Sequence, residues 1–382
     1  MKRWLGRILV LCLLIGTVCV PVHAVDMQIE AKSALLMDVA TGSILYEQDA
    51  HSQLPPASVT KIMTMLLIME AIDSGKIRWE DTVTASETAA AKGGSQVYLK
   101  VGETMTVQDM VKSIAVSSAN DCACAMAEHI AGSETAFVAM MNSRAKELGM
   151  ENTNFVNCTG LDDGEAGKQH LTSAYDIALM SRQLLKYHPE ITKFTTIWMD
   201  TVRDGAFGLS NTNKMVRFYN GCTGLKTGFT SGAGYCLSSS AQRDGLELIA
   251  VVMGCETSQK RFAACKSMLD YGFANFAVVE PTMPEAVSVP VKMGLADQVH
   301  AVPGQNEPFL IDKGQQNSVT VETTVQDEVT APVSKGQRLG TMTVKSGEQV
   351  LAQIPLVAQE TVGRLSFSDI LLRILKSVVM GK

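Results

Sequence analysis

The chain has 382 residues and carries 33 lysine and arginine residues against 39 aspartate and glutamate residues, a formal net charge of -6. This acidic balance provides no basic surface of the kind that nucleic-acid binding requires, so we exclude nucleic acid as a partner. The length exceeds what one hydrophobic core usually organises, and 46% of the residues are apolar, so a main domain and a smaller one are expected.

The first residues have the pattern of an export signal. Three basic residues precede an apolar run at 8–20, and Val22-His23-Ala24 offers a small-residue cleavage site. We predict a signal peptide at 1–24 and an exported, extracytoplasmic protein that begins near Val25. The alternative is an uncleaved anchor helix, although the run is short for a membrane span.

The cysteine count argues against a complete disulfide framework. Of nine cysteines, Cys12 and Cys19 lie in the predicted signal, which leaves an odd number in the mature chain and at least one unpaired thiol. We interpret the remainder as mostly buried structural thiols. Without a CxxC or HExxH motif, no metal is expected, and we predict no cofactor.

The mature chain opens with the pattern of a β-hairpin. Two short alternating runs, at 33–39 and 43–47, flank the turn Ala40-Thr41-Gly42. After a polar loop, residues 62–72 are nearly all apolar, which is typical of a helix buried on most sides. We therefore expect this segment to be a core helix.

Helical patterns dominate the middle of the chain and strand patterns follow them. Residues 107–148 predict helices packed on a sheet, with breaks around 117–120 and at Gly132. The later elements are predicted as a helix at 173–185, strands at 224–230, 235–242 and 246–254, and a helix at 258–271.

The composition changes near Val278 to Val, Thr, Pro and Gly with short alternating segments, which predicts a small separate β domain. At the C-terminus, residues 367–380 place apolar side chains at helical spacing along one stripe. The stripe is too short to cross a bilayer but suits a helix lying on the membrane surface. The alternative is an ordinary helix docked on the β domain.

Three short motifs contain the groups that serine acylation needs. Ser58-Val59-Thr60-Lys61 opens the buried helix, where i, i+3 spacing places the lysine amine beside the hydroxyl. A desolvated lysine there can act as a base. A second S-x-x-K match begins at Ser143, but it lies inside a surface-like helix, so we favour Ser58 as the nucleophile.

The other two motifs are weak evidence individually. Ser118-Ala119-Asn120 falls at a break between helices and could project into a cleft, or its polar residues could simply cap the next helix. Lys226-Thr227-Gly228 lies on a predicted strand, where the glycine would let a substrate backbone approach closely. Together and in this order, the three match the S-x-x-K, S-x-N and K-T-G set of penicillin-binding proteins and class A β-lactamases.

The surrounding residues resemble the low-molecular-mass penicillin-binding proteins that are serine-type D-alanyl-D-alanine carboxypeptidases. The resemblance includes PPASVTKIMT at 55–64 and GLKTGFT at 224–230, and it extends to Ala233-Gly234-Tyr235 and to Arg261 followed by Tyr271-Gly272-Phe273. It implies an α/β (α+β) transpeptidase-like fold, with an antiparallel sheet flanked by helices and a small C-terminal all-β domain. We expect a catalytic domain at 25–276, a β domain at 277–363 and a membrane-associating helix at 364–382.

The family resemblance also implies a role for each motif residue. Ser58 would be acylated, Lys61 would take its proton, and Ser118 would pass a proton to the departing D-alanine. The residues implied to bind substrate are Asn120, Lys226, Thr227, Gly228, Phe229 and Arg261, with the backbone N–H groups of Ser58 and Phe229 as the oxyanion hole. Arg261 could instead be an ordinary surface arginine of its helix.

The predicted substrate is the peptidoglycan stem pentapeptide, from which the enzyme would remove the terminal D-alanine during cell-wall biogenesis. β-Lactams would be covalent inhibitors, and the C-terminal helix would hold the protein on the outer face of the cytoplasmic membrane. Ala119 replaces a glycine often seen in the second motif, and Phe229 stands where some relatives carry histidine. The alternatives are a D,D-endopeptidase, a non-turnover peptidoglycan- or penicillin-binding protein and a β-lactamase.

Overall fold

A computed structural model of the chain describes residues 27–162, 164–281, 283, 287–304 and 308–380. The strands are β1 Ser33–Asp38, β2 Ile44–Gln48, β3 Thr82–Thr84, β4 Thr104–Thr106, β5 Met199–Val202, β6 Phe207–Ser210, β7 Cys222–Thr230, β8 Gly234–Arg243, β9 Leu246–Cys255, β10 Phe276–Val279, β11 Val287–Lys292, β12 Gln298–Pro303, β13 Phe309–Asp312, β14 Val319–Val325, β15 Val329–Thr330, β16 Arg338–Ser346 and β17 Gln349–Ala358. The helices are α1 Lys61–Asp73, α2 Glu87–Ala90, α3 Val107–Ser117, α4 Asn120–Ala131, α5 Glu134–Glu147, α6 Gly164–Gly167, α7 Ala174–Tyr187, α8 Thr192–Thr195, α9 Met215–Phe218, α10 Ser258–Asn275 and α11 Phe367–Met380.

The central sheet has five antiparallel strands in the order β2-β1-β9-β8-β7. The predicted hairpin is present as β1 and β2, and the three predicted later strands are β7, β8 and β9. Strand β7 is one of the two edge strands, β2 being the other, so one side of its backbone is not paired with another strand of the sheet. That free side is where the K-T-G motif lies.

Helices cover both faces of this sheet. On one face, α1 packs against α7, α4 and α3, and its apolar residues are buried all round, as the uniform apolar run predicts. On the other face, α10 packs on β8 and β9. The Lys61 side chain at the start of α1 is fully buried by this packing, so tertiary contacts remove a cation from water.

The predicted helical stretch divides where the sequence indicates. Helix α3 ends at Ser117, and Ser118 takes a left-handed conformation with φ of 63° before α4 begins at Asn120. Gly132 ends α4 in the same way, with φ of 80°. Because the first break is held by a serine rather than a glycine, the backbone there is strained.

The C-terminal region is all-β, as expected, and ends in a helix. Its larger sheet has the order β14-β16-β17-β12-β11-β15, and β10 pairs with β13 in a separate ribbon. The predicted tail helix is α11. The short pairs β3–β4 and β5–β6 were not predicted, because strands of three or four residues carry too little periodicity to be recognised.

All seven cysteines of the described residues are unpaired, and only Cys222 is not fully buried. The interpretation as mostly buried structural thiols is therefore confirmed for this part of the chain. The predicted signal peptide, with Cys12 and Cys19, lies outside the described residues.

Candidate active site

Ser58 and Lys61 form a close pair at the entrance to α1. Ser58 lies in a 3-10 turn, Ala57–Thr60, that runs directly into the helix. The Lys61 Nζ donates a hydrogen bond to the Ser58 Oγ at 3.0 Å and another to the Thr159 carbonyl oxygen at 2.9 Å. The i, i+3 contact predicted from the tetrapeptide is therefore present.

Burial changes the acidity of this lysine. Desolvation lowers the pKa of Lys61 from 10.5 to about 7. Near neutral pH, Lys61 is then a neutral amine in a substantial fraction of the molecules, with a lone pair that can accept the Ser58 hydroxyl proton. The pair has both the contact and the acidity that serine activation requires.

A loop from the middle of the chain holds this pair in place. We call the turn Ala57–Thr60 the nucleophile turn. Gly160 lies so close to it that an added Cβ would stand 1.8 Å from the Ala57 carbonyl oxygen. The Asn157 Oδ1 stabilises the loop by accepting hydrogen bonds from the Thr159 and Gly160 N–H groups at 3.1 and 2.7 Å. This loop therefore aims the Thr159 carbonyl at Lys61.

The second motif lies at the start of α4. The Asn120 Nδ2 donates to the Gly93 carbonyl oxygen at 2.7 Å, while its Oδ1 is buried without a partner among the described residues. Asp121, the next residue, accepts hydrogen bonds from the Val97 and Leu99 N–H groups and so ties the preceding loop to α4. The unpartnered amide oxygen is available to accept a hydrogen bond from a ligand N–H.

The third motif occupies the edge of the central sheet. Lys226 is buried, and its Nζ donates to the Thr227 carbonyl oxygen at 2.9 Å. Its pKa lies well below the ordinary value because of burial, with further lowering from the positive charges of Lys61 and Arg261. The Thr227 Oγ1 donates to the Thr212 Oγ1 at 2.7 Å, so an additional threonine orients this side chain.

Gly228 and Phe229 follow on the same strand. An added Cβ at Gly228 would stand 2.6 Å from the Pro56 carbonyl oxygen, which shows how tightly β7 packs against the nucleophile turn. The Phe229 side chain is 54% exposed and its ring lies 4.3 Å from that of Tyr235. The strand thus presents a large apolar surface immediately after the K-T-G motif.

Arg261 reaches the end of β7 from α10 and is not a surface residue. Its side chain is buried, and its Nη1 donates to the Gly228 carbonyl oxygen at 3.0 Å and to the Cys236 carbonyl oxygen at 3.3 Å. The guanidinium stacks over the Tyr235 ring at 5.3 Å, and its Nε has no partner in the described part of the chain. A buried guanidinium with an unused donor is suited to receive an anion.

The structure separates the two S-x-x-K matches by their surroundings. Ser143 and Lys146 are both exposed on α5, so that match has no cleft and no desolvated amine. Sequence reasoning missed the supporting residues Thr159 and Thr212, because a backbone carbonyl and a common threonine carry no recognisable motif. Across the described residues, no group of three His, Cys, Asp or Glu side chains is arranged to hold a metal ion.

Comparison with known proteins gives a consistent result over both parts of the chain. Residues 20–257 match the model of the D-alanyl-D-alanine carboxypeptidase family, peptidase S11. Residues 283–364 match the C-terminal domain of penicillin-binding protein 5. The D-alanyl-D-alanine carboxypeptidase DacF of Bacillus subtilis is 45% identical over 350 residues, which are 90% of this chain and 89% of that protein.

Solved structures of similar proteins share the fold. Penicillin-binding protein 5 from Haemophilus influenzae has 31% identity and a TM-score of 0.76, covering 89% of this chain and 99% of its own. Penicillin-binding protein D2 from Listeria monocytogenes, in its ampicillin-bound form, has 33% identity and a TM-score of 0.57, covering 65% of this chain and 100% of its own. The expected transpeptidase-like fold is confirmed.

Proposed function

This chain belongs to the D-alanyl-D-alanine carboxypeptidase family of serine peptidases, and from that membership we propose that it removes the terminal D-alanine from peptidoglycan stem pentapeptides through an acyl-enzyme on Ser58. The observation that carries the assignment is the 3.0 Å contact between the Ser58 Oγ and the Lys61 Nζ. The lowered pKa of Lys61, about 7, supports its role as the base.

The reaction proceeds in two halves. In acylation, Lys61 removes the hydroxyl proton of Ser58, and the oxygen attacks the carbonyl carbon of the penultimate D-alanine. The C–N bond then breaks as Ser118 passes its proton to the departing amine and takes the proton held by Lys61 in its place. In deacylation, Lys61 removes a proton from a water molecule as its oxygen attacks the acyl carbon, the ester bond to the Ser58 Oγ breaks, and Lys61 returns the proton to that oxygen.

The remaining site residues bind and orient the substrate. Asn120, through its unpartnered Oδ1, accepts a hydrogen bond from the stem-peptide amide. The edge strand around Thr227 lies along the peptide, and the backbone N–H groups of Ser58 and Phe229 stabilise the oxyanion. The buried guanidinium of Arg261 favours a substrate that ends in a carboxylate, and Lys226 supplies a further hydrogen-bond donor.

The proposal is tested by D-alanine release from a muramyl pentapeptide, with and without penicillin. We expect release that penicillin blocks, and a rate that rises roughly fiftyfold from about pH 5 to pH 7 because Lys61 loses its proton through its pKa of about 7. Acylation by a chromogenic β-lactam should follow the same curve. A rate that is flat over this range, or that rises only near the ordinary lysine pKa, would contradict the role of Lys61.

The same assay distinguishes the alternative activities. A D,D-endopeptidase would cleave a cross-linked peptide dimer and leave the pentapeptide intact. The exposed Phe229 ring is the feature of the site that bears on the choice between these two substrates. A β-lactamase would regenerate free enzyme from its penicillin adduct within seconds. The ampicillin-bound form of the Listeria protein supports β-lactam binding by this chain.

We further propose that the protein acts outside the cytoplasmic membrane and rests on it through α11. The helix exposes an apolar face, on which Phe367 is 82% exposed and Leu371, Ile374 and Leu375 are about half exposed. No helix among the described residues is both long and apolar enough to cross a bilayer. The exposed apolar face of α11 supports attachment to the membrane surface. Residues 25–276 would be the catalytic domain, with 277–363 as the β domain and 364–382 as the attachment segment.

Removal of residues 366–382 is expected to abolish flotation of the protein with phosphatidylglycerol vesicles, since the exposed apolar face of α11 is lost. Leu371→Asp with Leu375→Asp should have the same effect in the full chain. Phe218→Asp is the matched control, because Phe218 is 72% exposed and belongs to α9 and not to the tail helix. Equal flotation with and without the tail would rule out this attachment.

A further inference from the structure

His170 is buried beside the nucleophile turn, although no predicted motif contains it. Its Nε2 lies 2.8 Å from the Thr60 Oγ1, and the Thr60 hydroxyl donates to the Ala57 carbonyl oxygen at 2.8 Å. On the other side of the ring, the Val156 N–H donates to the His170 Nδ1 at 3.1 Å. The histidine therefore connects the loop after Val156 with the turn that contains Ser58.

These hydrogen bonds determine which atoms of His170 and Thr60 carry a proton. Because the His170 Nδ1 accepts from a backbone N–H, it carries no proton, and the proton of the neutral ring must be on Nε2. The Nε2–H then donates to the Thr60 Oγ1, which leaves the threonine hydroxyl proton for the Ala57 carbonyl. In the resulting hydrogen-bond network from the Val156 N–H to the Ala57 carbonyl oxygen, every donor has an acceptor, and only one assignment of donors and acceptors is possible.

The turn that this hydrogen-bond network stabilises is strained. Ala57 has a φ of 49°, a left-handed conformation that is unfavourable for alanine, immediately before Ser58. Such a conformation persists only when surrounding contacts hold it, and the Thr60 hydroxyl is one of those contacts. The loop on the far side of His170 supplies the Thr159 carbonyl that positions Lys61.

We propose that His170 is a positioning residue for the acylation step, acting through Thr60 on the backbone turn that presents Ser58 and through Val156 on the loop that orients Lys61. This inference rests on the proposed function, in which Ser58 is the acylated residue. His170 does not touch the reacting atoms. It aligns the Ser58 hydroxyl with the Lys61 amine, and a small misalignment of two such groups lowers the reaction rate strongly.

The surroundings of His170 keep the ring neutral. Burial lowers the pKa of His170 to about 4, the negative charge of Asp162 partly opposes this, and the positive charge of Lys61 adds to it. The ring packs edge-on to Phe155, with centroids 5.6 Å apart. Above about pH 5 the hydrogen-bonding pattern is therefore constant, and the rise in rate at higher pH belongs to Lys61.

The inference is tested with Thr60→Val, which keeps the shape of the side chain and removes the hydroxyl. We expect the rate constant of acylation by a chromogenic β-lactam to fall about 10- to 100-fold, with KM for the pentapeptide changed by less than about threefold. Thr60→Ser should restore the rate to within about threefold of wild type. His170→Gln, which keeps a donor near the Nε2 position, should retain more activity than His170→Phe.

A double variant and a control separate positioning from general damage. If His170 acts through Thr60, His170→Phe should add little to the loss already caused by Thr60→Val. Thr153→Val is the matched control, since it also removes a threonine hydroxyl that bonds to Thr172 and Asp176, but away from the nucleophile. It should lower the thermal midpoint without lowering the acylation rate.

The outcomes also distinguish this inference from the proposed function. Mass spectrometry of the wild-type adduct locates the acylated residue, and an adduct elsewhere than Ser58 would overturn the proposed function. An adduct on Ser58 together with wild-type acylation by Thr60→Val would overturn the positioning role alone. Multiplying losses in the double variant would overturn the claim that His170 acts through Thr60.

Discussion

Replacing Ser58 with alanine is expected to abolish both penicillin labelling and D-alanine release, a loss of at least about 10⁴-fold. The substitution removes the hydroxyl oxygen that we propose forms the acyl bond, while Lys61, Lys226 and the proposed oxyanion donors remain. Because the side chain is small and only half-buried, the folded structure should persist. The measurements are the mass of the protein after incubation with penicillin and the rate of D-alanine release.

Ser143→Ala is the matched control for this experiment, since it changes the nucleophile position of the second S-x-x-K match. Ser143 is exposed on α5, so labelling and release should equal those of the wild type. Stoichiometric penicillin labelling of Ser58→Ala would show that another residue is acylated. Loss of labelling in Ser143→Ala would show that the nucleophile belongs to the second S-x-x-K match and not to the first.

Replacing Gly160 with alanine is expected to lower the free energy of unfolding by roughly 3–5 kcal/mol. The new Cβ would stand 1.8 Å from the Ala57 carbonyl oxygen, which is backbone and cannot rotate away. Gly160 also has a φ of 81°, which costs an alanine residue about 1–2 kcal/mol. To relieve the contact, the nucleophile turn must separate from the loop that orients Lys61. The acylation rate of the folded fraction should therefore fall by about 100-fold or more.

Gly75→Ala separates the effect of the clash from that of the conformation. Gly75 has a similar φ of 72°, but an added Cβ there meets nothing within 4 Å. It should cost only about 1–2 kcal/mol and leave acylation unchanged. The measurements are urea unfolding and the acylation rate. If the two alanine variants behave alike, the loop does not press on the nucleophile turn as described.

The site is arranged at a cost to stability. Lys61 and Lys226 are both buried, and within the described residues they donate hydrogen bonds to hydroxyl and carbonyl oxygens rather than to carboxylates. Burying ammonium groups without such partners is unfavourable, and the lowered pKa of each lysine expresses that penalty. At Lys61 the same penalty produces a neutral amine near pH 7, so the destabilising feature is what the proposed chemistry uses.

Local pattern was sufficient for most of the secondary structure. The uniform apolar run at 62–72 predicted a buried helix, and α1 spans Lys61–Asp73. The alternating runs predicted β1, β2, β7, β8 and β9, because period-two alternation depends only on neighbouring residues. Helix α10 continued to Asn275, beyond the predicted end at Tyr271, since its last turn is stabilised by packing and not by a local signal.

The sequence by itself determined that Ser58 and Lys61 lie side by side, because three-residue spacing at a helix entrance brings those side chains within reach of each other. Tertiary structure alone decided the rest of the site. His170 meets Thr60 across 110 residues of chain, and Arg261 turns inward to Gly228 across 33. Such contacts depend on how the loops and helices pack on the sheet, and so does the burial that gives Lys61 its lowered pKa.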